Sequence, residues 1–165
     1  QMDAAARHVG AIVLRKKIAR FYGDYDAATK EQWQMQVLNR LAMETLRPVR
    51  AGMIGIAAAL QMVEQKPTPA MLQFLNASSS NPSPEARELC FLLLSEMTDT
   101  IGMHWKEEYL PALIQLFTGA FQNTESTSTV AVQKAAVQAL GSLMSFWCDD
   151  LILISDKLKF VFTII

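Results

Sequence analysis

The stretch Pro48 to Leu60, PVRAGMIGIAAAL, constrains the fold more than any other part of the chain. Proline is tolerated in the first turn of a helix, where its missing N–H has no partner to lose. After it, Met53, Ile54, Ala57 and Leu60 recur at helical spacing. Ala51, Gly52, Gly55, Ala58 and Ala59 supply almost no bulk between them. Neighbouring backbones can therefore approach on several sides, which predicts an enclosed central helix rather than a surface one.

The pattern recurs. Apolar or small residues follow Arg50 at three, four, seven and ten positions, and the same frame fits Arg87 with Cys90, Phe91, Leu94 and Met97. It fits Gln133 with Ala136, Val137, Leu140 and Leu143, and Arg7 with Gly10, Ala11 and Leu14, where Lys17 breaks the last place. Irregular periods of roughly 40 residues belong to helix-pair solenoids of the HEAT and armadillo type, in which each unit buries its face against its neighbours. The expected class is all-α: a HEAT-repeat superhelical solenoid of antiparallel helix pairs. An ordinary helical bundle is the alternative.

Read in order, the chain gives a helix over residues 3–21, with Ala11, Leu14, Ile18 and Phe21 on one side, as the second helix of a repeat. Gly23, Asp24 and Asp26 make a turn, and Ala27 to Leu46 forms an outer helix carrying Trp33, Val37, Leu38 and Leu41. The central helix from Pro48 to Gln65 stops at Lys66-Pro67-Thr68-Pro69. A short outer helix spans 70–76, a central helix 85–101 begins behind Pro84, and an outer helix 106–122 has a kink or late start at Pro111. The polar run 123–129 is a loop, 130–147 a fourth central helix, and 151–165 an apolar segment. As repeats this gives 1–22, 24–65, 67–102, 105–147 and 149–165, and the absence of polar caps at either end predicts a fragment of a longer array.

At 165 residues and 51% hydrophobic, the chain can bury a sizeable core, and no apolar run reaches the length needed to cross a bilayer. Cys90 and Cys148 are expected as buried thiols of a reducing compartment. The first 66 residues carry 10 Lys/Arg against 6 Asp/Glu, and the remainder 5 against 10, a gradient that can steer a charged partner to one end. Lys16 and Arg20, four apart and with Arg15 and His8 beside them, form a basic face suited to acidic groups of a partner or to plain solvation. Arg50 and Arg87 are read as bridges between neighbouring repeats.

Enzymatic chemistry finds no frame in the sequence. His8 and His104 are far apart, and there is no metal-ligand spacing or glycine-rich phosphate loop, so no cofactor or metal is expected. The acidic pairs Glu107-Glu108 and Asp149-Asp150 stand at helix starts, where they complement the dipole. Trp105 and Trp147 are read as packing residues, and the glycines of the central helices as sites of close approach. Without a basic stripe interleaved with aromatics, direct nucleic-acid binding is not expected, nor is a membrane partner.

The runs ARHVGAIVLRKKI (6–18), LNRLAMETLRPVRAGMIGIAA (38–58) and PAMLQFL (69–75), followed by PEARELCFLLLSEM and STVAVQKAAVQALGSL, resemble the N-terminal repeats of importin-β superfamily nuclear transport receptors. The nearest likeness is to the branch that imports histones and ribosomal proteins. Thr68 stands where the family has tryptophan, and Gln133 or Lys134 where it has arginine. The resemblance implies a nuclear import receptor that is not an enzyme and shuttles between cytoplasm and nucleus. Such a receptor grips Ran in its GTP form, carries cargo proteins such as histones or ribosomal proteins, and meets nucleoporins through the full-length protein. The candidate Ran contacts are Arg15, Lys16 and Arg20. A HEAT scaffold that assembles a multiprotein complex without GTPase dependence is the alternative, since fold alone does not separate the two.

Overall fold

The computed structural model describes residues 3–105, 109–122 and 129–148. Glu107, Glu108, the loop 123–128, Asp149, Asp150 and the segment 151–165 lie outside the described residues, as do the side chains of Trp147 and Cys148. Eight α-helices make up the described part: α1 Ala4–Phe21, α2 Ala27–Met43, α3 Arg47–Glu64, α4 Pro69–Ser79, α5 Pro84–Glu96, α6 Thr98–His104, α7 Leu110–Gln122 and α8 Thr129–Cys148. There is no strand among them. This is the expected all-α class, a solenoid-type array of paired and packed helices. The chain divides into two compact units, residues 1–76 and 77–165.

In the first unit α3 is the centre, packed by both α1 and α2. Ile54 to Ala58 are five consecutive buried residues, and Val49, Leu60 and Gln61 are buried too, so the middle of the helix is enclosed as its composition predicts, while Arg47, Pro48, Ala51 and Met62 stay exposed. The small residues have separate tasks. A Cβ on Gly52 would lie 2.7 Å from the Ala11 Cβ, too close for two carbons, and one on Gly55 would lie 2.8 Å from Nη1 of Arg15. Gly52 therefore sets how closely α1 and α3 can approach. Around that seam Ala11, Ile18, Tyr22, Ile56 and Leu60 form a core, with Trp33, Val37 and Met53 packed against it.

Helix ends follow local chemistry. Asp26 caps α2: Thr29 donates to it through both its N–H and its hydroxyl, at 2.9 Å each. Those bonds, the backbone one foremost, hold the Asp26 carboxyl below its ordinary range. At its other end α2 stops at Met43, three residues short of the expected Leu46, because the Glu44 carboxylate folds back to accept from the Leu46 N–H at 3.0 Å. Pro48 lies in the first turn of α3, as expected, and the helix closes on Gln65 in the left-handed conformation at φ 57°. Glycine is the usual residue there, since a side chain adds strain.

In the second unit α5 packs on α8, which also meets α6 and α7. Cys90, Phe91, Leu94 and Met97 are all buried, as the repeat frame predicts. Phe91 stacks at 5.4 Å on Phe117 of α7, the rings tilted by 38°. The single helix expected over 85–101 is broken. At Met97 (φ −93°, ψ 9°) the N–H is shared between the carbonyls of Leu93 and Leu94, and the Thr98 hydroxyl donates to Ser95 O at 2.7 Å. These bonds compete with the regular ladder and end α5. Of the kink or late start expected at Pro111, the structure has the late start, α7 opening at Leu110.

Expected inward positions fail on α1 and α8, Gly10 of the repeat frame among them, which is exposed. Leu14 and Phe21 are exposed, and Tyr22, not Phe21, enters the core. Val137 is 59% exposed where Ala136 and Leu140 beside it are buried. Gly141 meets nothing within 4 Å of where a side chain would begin, so close approach is no reason for it.

Two glycine-to-alanine substitutions should thus move stability in opposite directions. Gly52→Ala forces α1 off α3 and should cost about 1–3 kcal/mol. Gly141→Ala, on an exposed helical position, should gain about 0.5–1 kcal/mol. Urea melts of both variants check the contrast.

Candidate functional site

Helix α1 carries every sequence-predicted site residue. Its 18 residues include Arg7, Arg15, Lys16, Lys17 and Arg20 and not one acid. The cations Lys16, Lys17 and Arg20 fall in its C-terminal half, where they complement the partial negative charge of the helix end.

Packing divides these groups. Arg7 forms a 2.6 Å ion pair with Glu44, whose side chain is only 5% exposed, so that pair ties α1 to the α2–α3 connection. His8 Nδ1 lies 2.9 Å from the carbonyl of Pro48 at the start of α3. Arg15 follows Ala11 and precedes Ile18 and Tyr22 on the side facing α3, its guanidinium lying over Gly55. Lys16 and Arg20, at 100° per residue, point away from that seam together with Val9 and Val13. The structure therefore brings Lys16 and Arg20 together and places Arg15 elsewhere. Lys17 and Arg20 flank the exposed Phe21 ring, at 5.6 and 5.2 Å from its centroid.

Arg50 does not reach across to another repeat by a described contact: its Nη2 donates to Thr45 O, 3.3 Å away, at the start of its own helix. Its Nε is buried without a hydrogen-bond partner among the described residues. Arg87 is half-buried at the equivalent place in α5.

Two buried polar contacts escaped the sequence reading. Gln34 donates through Nε2 to the Tyr22 hydroxyl at 2.7 Å, and that hydroxyl in turn donates to Lys30 O at 3.4 Å. Tyr22 is 1% exposed, and burial is the main cause of a phenol pKa pushed up to about 12. Gln61 and Thr68 hold each other reciprocally: Gln61 Nε2 donates to Thr68 Oγ1 at 3.0 Å, and the Thr68 N–H donates to Gln61 Oε1 at 3.3 Å. The Thr68 hydroxyl also accepts from Met71 N–H, which caps α4. A threonine directly before a helix-starting proline is a cap signal that sequence can carry; the partnership with Gln61 is not. An open cavity of about 330 Å³ adjoins both contacts, lined by Lys30, Glu31, Gln34, Glu64, Lys66 and Thr68 among others.

A family model described as IPO5-like, TPR repeats, matches residues 45–153, two thirds of the chain. The chain belongs to this family. Its matched region takes in α3 to α8 and leaves α1 and α2, and with them Arg15, Lys16 and Arg20, outside. No curated protein and no solved structure matches the chain. The helices of this IPO5-like region supply a packing scaffold, the coarse character that the sequence implies. Among the described residues no three His, Cys, Asp or Glu side chains cluster to hold a metal ion, and no helix is long and apolar enough to cross a membrane. Cys90 is buried as expected, and burial pushes its thiol up to about 12, far from the thiolate a nucleophile needs. Trp105 is half-buried against Tyr109, ring centroids 5.6 Å apart.

The Tyr22 phenol predicts a pH dependence. Its folded pKa of about 12 lies above the ordinary phenol value of 10.0, so the folded state holds the proton more tightly than the unfolded chain. The stabilisation is complete below pH 10 and is lost as pH rises toward 12. Melting temperatures over that range should fall more steeply for the native protein than for Tyr22→Phe, and the difference in phenolate absorbance between the two should titrate near 12. The clasp gives a second test: Thr68→Val keeps the shape but strands the Gln61 amide, at a cost of about 1–3 kcal/mol in a denaturant titration.

Proposed function

We propose that this chain is the N-terminal part of a nuclear import receptor of the importin-β superfamily, of the branch that imports histones and ribosomal proteins. It binds Ran in its GTP form and carries protein cargo through nuclear pores, shuttling between cytoplasm and nucleus, with nucleoporins met by the full-length protein. It works by binding and not by catalysis. The observation that carries this reading is the IPO5-like family match over 45–153, attached to an α1 helix that has five cations, no acid and an outward-facing Lys16–Arg20 pair. In this reading Lys16 and Arg20 meet acidic groups of the GTPase. Arg15 reaches the partner from the α3 side of the helix, where its guanidinium lies over Gly55.

A scaffold that assembles a complex without GTPase dependence also fits, since the matched family is described by its repeats and α1 lies outside the match. Nucleotide dependence separates the two, because a static scaffold has no differential contact with the two states. Titration with Ran loaded with a non-hydrolysable GTP analogue or with GDP should give a preference of about a hundredfold, near 2.7 kcal/mol. Lys16→Glu combined with Arg20→Glu should weaken the GTP-form complex about tenfold with helical content unchanged. Equal binding of both nucleotide forms moves the protein to the scaffold class, and an undiminished affinity of the double variant removes Lys16 and Arg20 from the contact.

A further inference from the structure

The open cavity of about 330 Å³ in the first unit has three walls: the first half of α2, the end of α3 and the start of α4. Four charged side chains line it, Lys30 and Glu31 from α2, Glu64 from the last turn of α3, and Lys66 from the connection to α4. Two are cations and two are anions, yet no two of these four form an ion pair. The backbone divides the cavity in the same sense, because the negative end of one helix dipole and the positive end of the next both reach it. At the α3 end stand the Glu64 carboxylate and Gln34, which is 4% exposed. Gln34 commits its Nε2 to the Tyr22 hydroxyl, and its Oε1 accepts from no described group. At the α4 end stand Lys66 and the N–H of Ala70. Pro69 has no N–H to offer, and that of Met71 is given to Thr68 Oγ1.

We propose that this cavity binds a small zwitterion of dipeptide size, with its ammonium at Glu64 and Gln34 Oε1 and its carboxylate at Lys66 and the Ala70 N–H. The volume lies at the low end of ligand pockets, about 300–1,000 Å³, which restricts the ligand to a small one. Its charges are apart, as the helix ends are, with Gln65 to Thr68 between them; the termini of an extended dipeptide reach about 7 Å. A bare anion meets repulsion from Glu31 and Glu64, and a bare cation from Lys30 and Lys66. The chain's own sequence is a further occupant to weigh. An outer helix ahead of α1 would stand before α2 and α4 in the row of outer helices, and in such arrays a unit touches only its neighbours. α2 then lies between that helix and the cavity.

The inference stands apart from the GTPase reading, because its test contains neither nucleotide nor GTPase. The probe is the dipeptide Ala-Ala, titrated into the full chain and followed by amide NMR spectra. Saturable shifts are expected at the Gln34 side-chain amide and the Ala70 N–H. N-acetylated and C-amidated Ala-Ala, each lacking one charge, should bind about tenfold more weakly. Lys66→Gln should weaken Ala-Ala about tenfold and abolish the distinction between free and amidated carboxyl, and Glu64→Gln should do the same for the free and acetylated amine. Lys66 is exposed and Glu64 half-buried, and circular dichroism of each variant reports whether the fold is kept. Four results overturn the proposal: no saturable shift, shifts confined to residues away from the cavity, blocked dipeptides binding as well as the free one, or displacement of Ala-Ala by equimolar inorganic phosphate. The titration is repeated on the chain together with whatever native sequence flanks it. Binding retained there supports the site, and binding lost there overturns it, assigning the cavity to the chain itself.

Discussion

The approach of α1 to α3 at Gly52 is the constraint on which the first unit depends. With Gly52 facing Ala11 across a gap that admits no further carbon, the two backbones come close enough for Ile18 and Tyr22 to bury against Ile56 and Leu60. A larger residue at 52 would hold α1 away and open that core. Small residues here act through what they allow their neighbours to do. Gly55 serves the same seam differently, leaving room for the Arg15 side chain, guanidinium included, to lie across α3.

Buried polar groups then fix what apolar packing leaves free. Hydrophobic contact is non-directional and tolerates sliding, whereas the Tyr22–Gln34 bond at 2.7 Å and the reciprocal Gln61–Thr68 pair each have one satisfied geometry. The first joins the turn after α1 to α2, and the second joins the end of α3 to the start of α4. Together with the Arg7–Glu44 ion pair, they place a polar restraint at each connection in the first unit. The connections of a helix-pair array set how one pair follows the next.

The same packing makes the surface of α1. With Ala11, Arg15, Ile18 and Tyr22 turned to α3, helical geometry leaves Val9, Val13, Lys16 and Arg20 facing outward. The family match begins at residue 45, so this face belongs to the part of the chain that its repeat-family character does not describe.

Much of the architecture was legible in the chain. The all-α class, the enclosed α3, the proline-led starts of α3 and α5 and the burial of Cys90, Phe91, Leu94 and Met97 follow from apolar spacing and turn chemistry, which act locally. The candidate site was legible only as a run of cations. The sequence grouped Arg15 with Lys16 and Arg20, and the fold separated them, because the side that a helical residue presents depends on which neighbour its helix meets. Leu14 and Val137 fit the repeat frame and yet are exposed, and Gln34 is polar and yet buried. Periodicity records which residues are able to face a core. Whether they do is decided by the helix that arrives opposite, and whether a polar residue can join them is decided by a bonding partner many residues away. The sequence by itself determined the helices, their punctuation and the class of fold. Only the tertiary structure decided which face of α1 packs on α3, because that choice rests on contacts between residues about forty apart, such as Ala11 with Gly52.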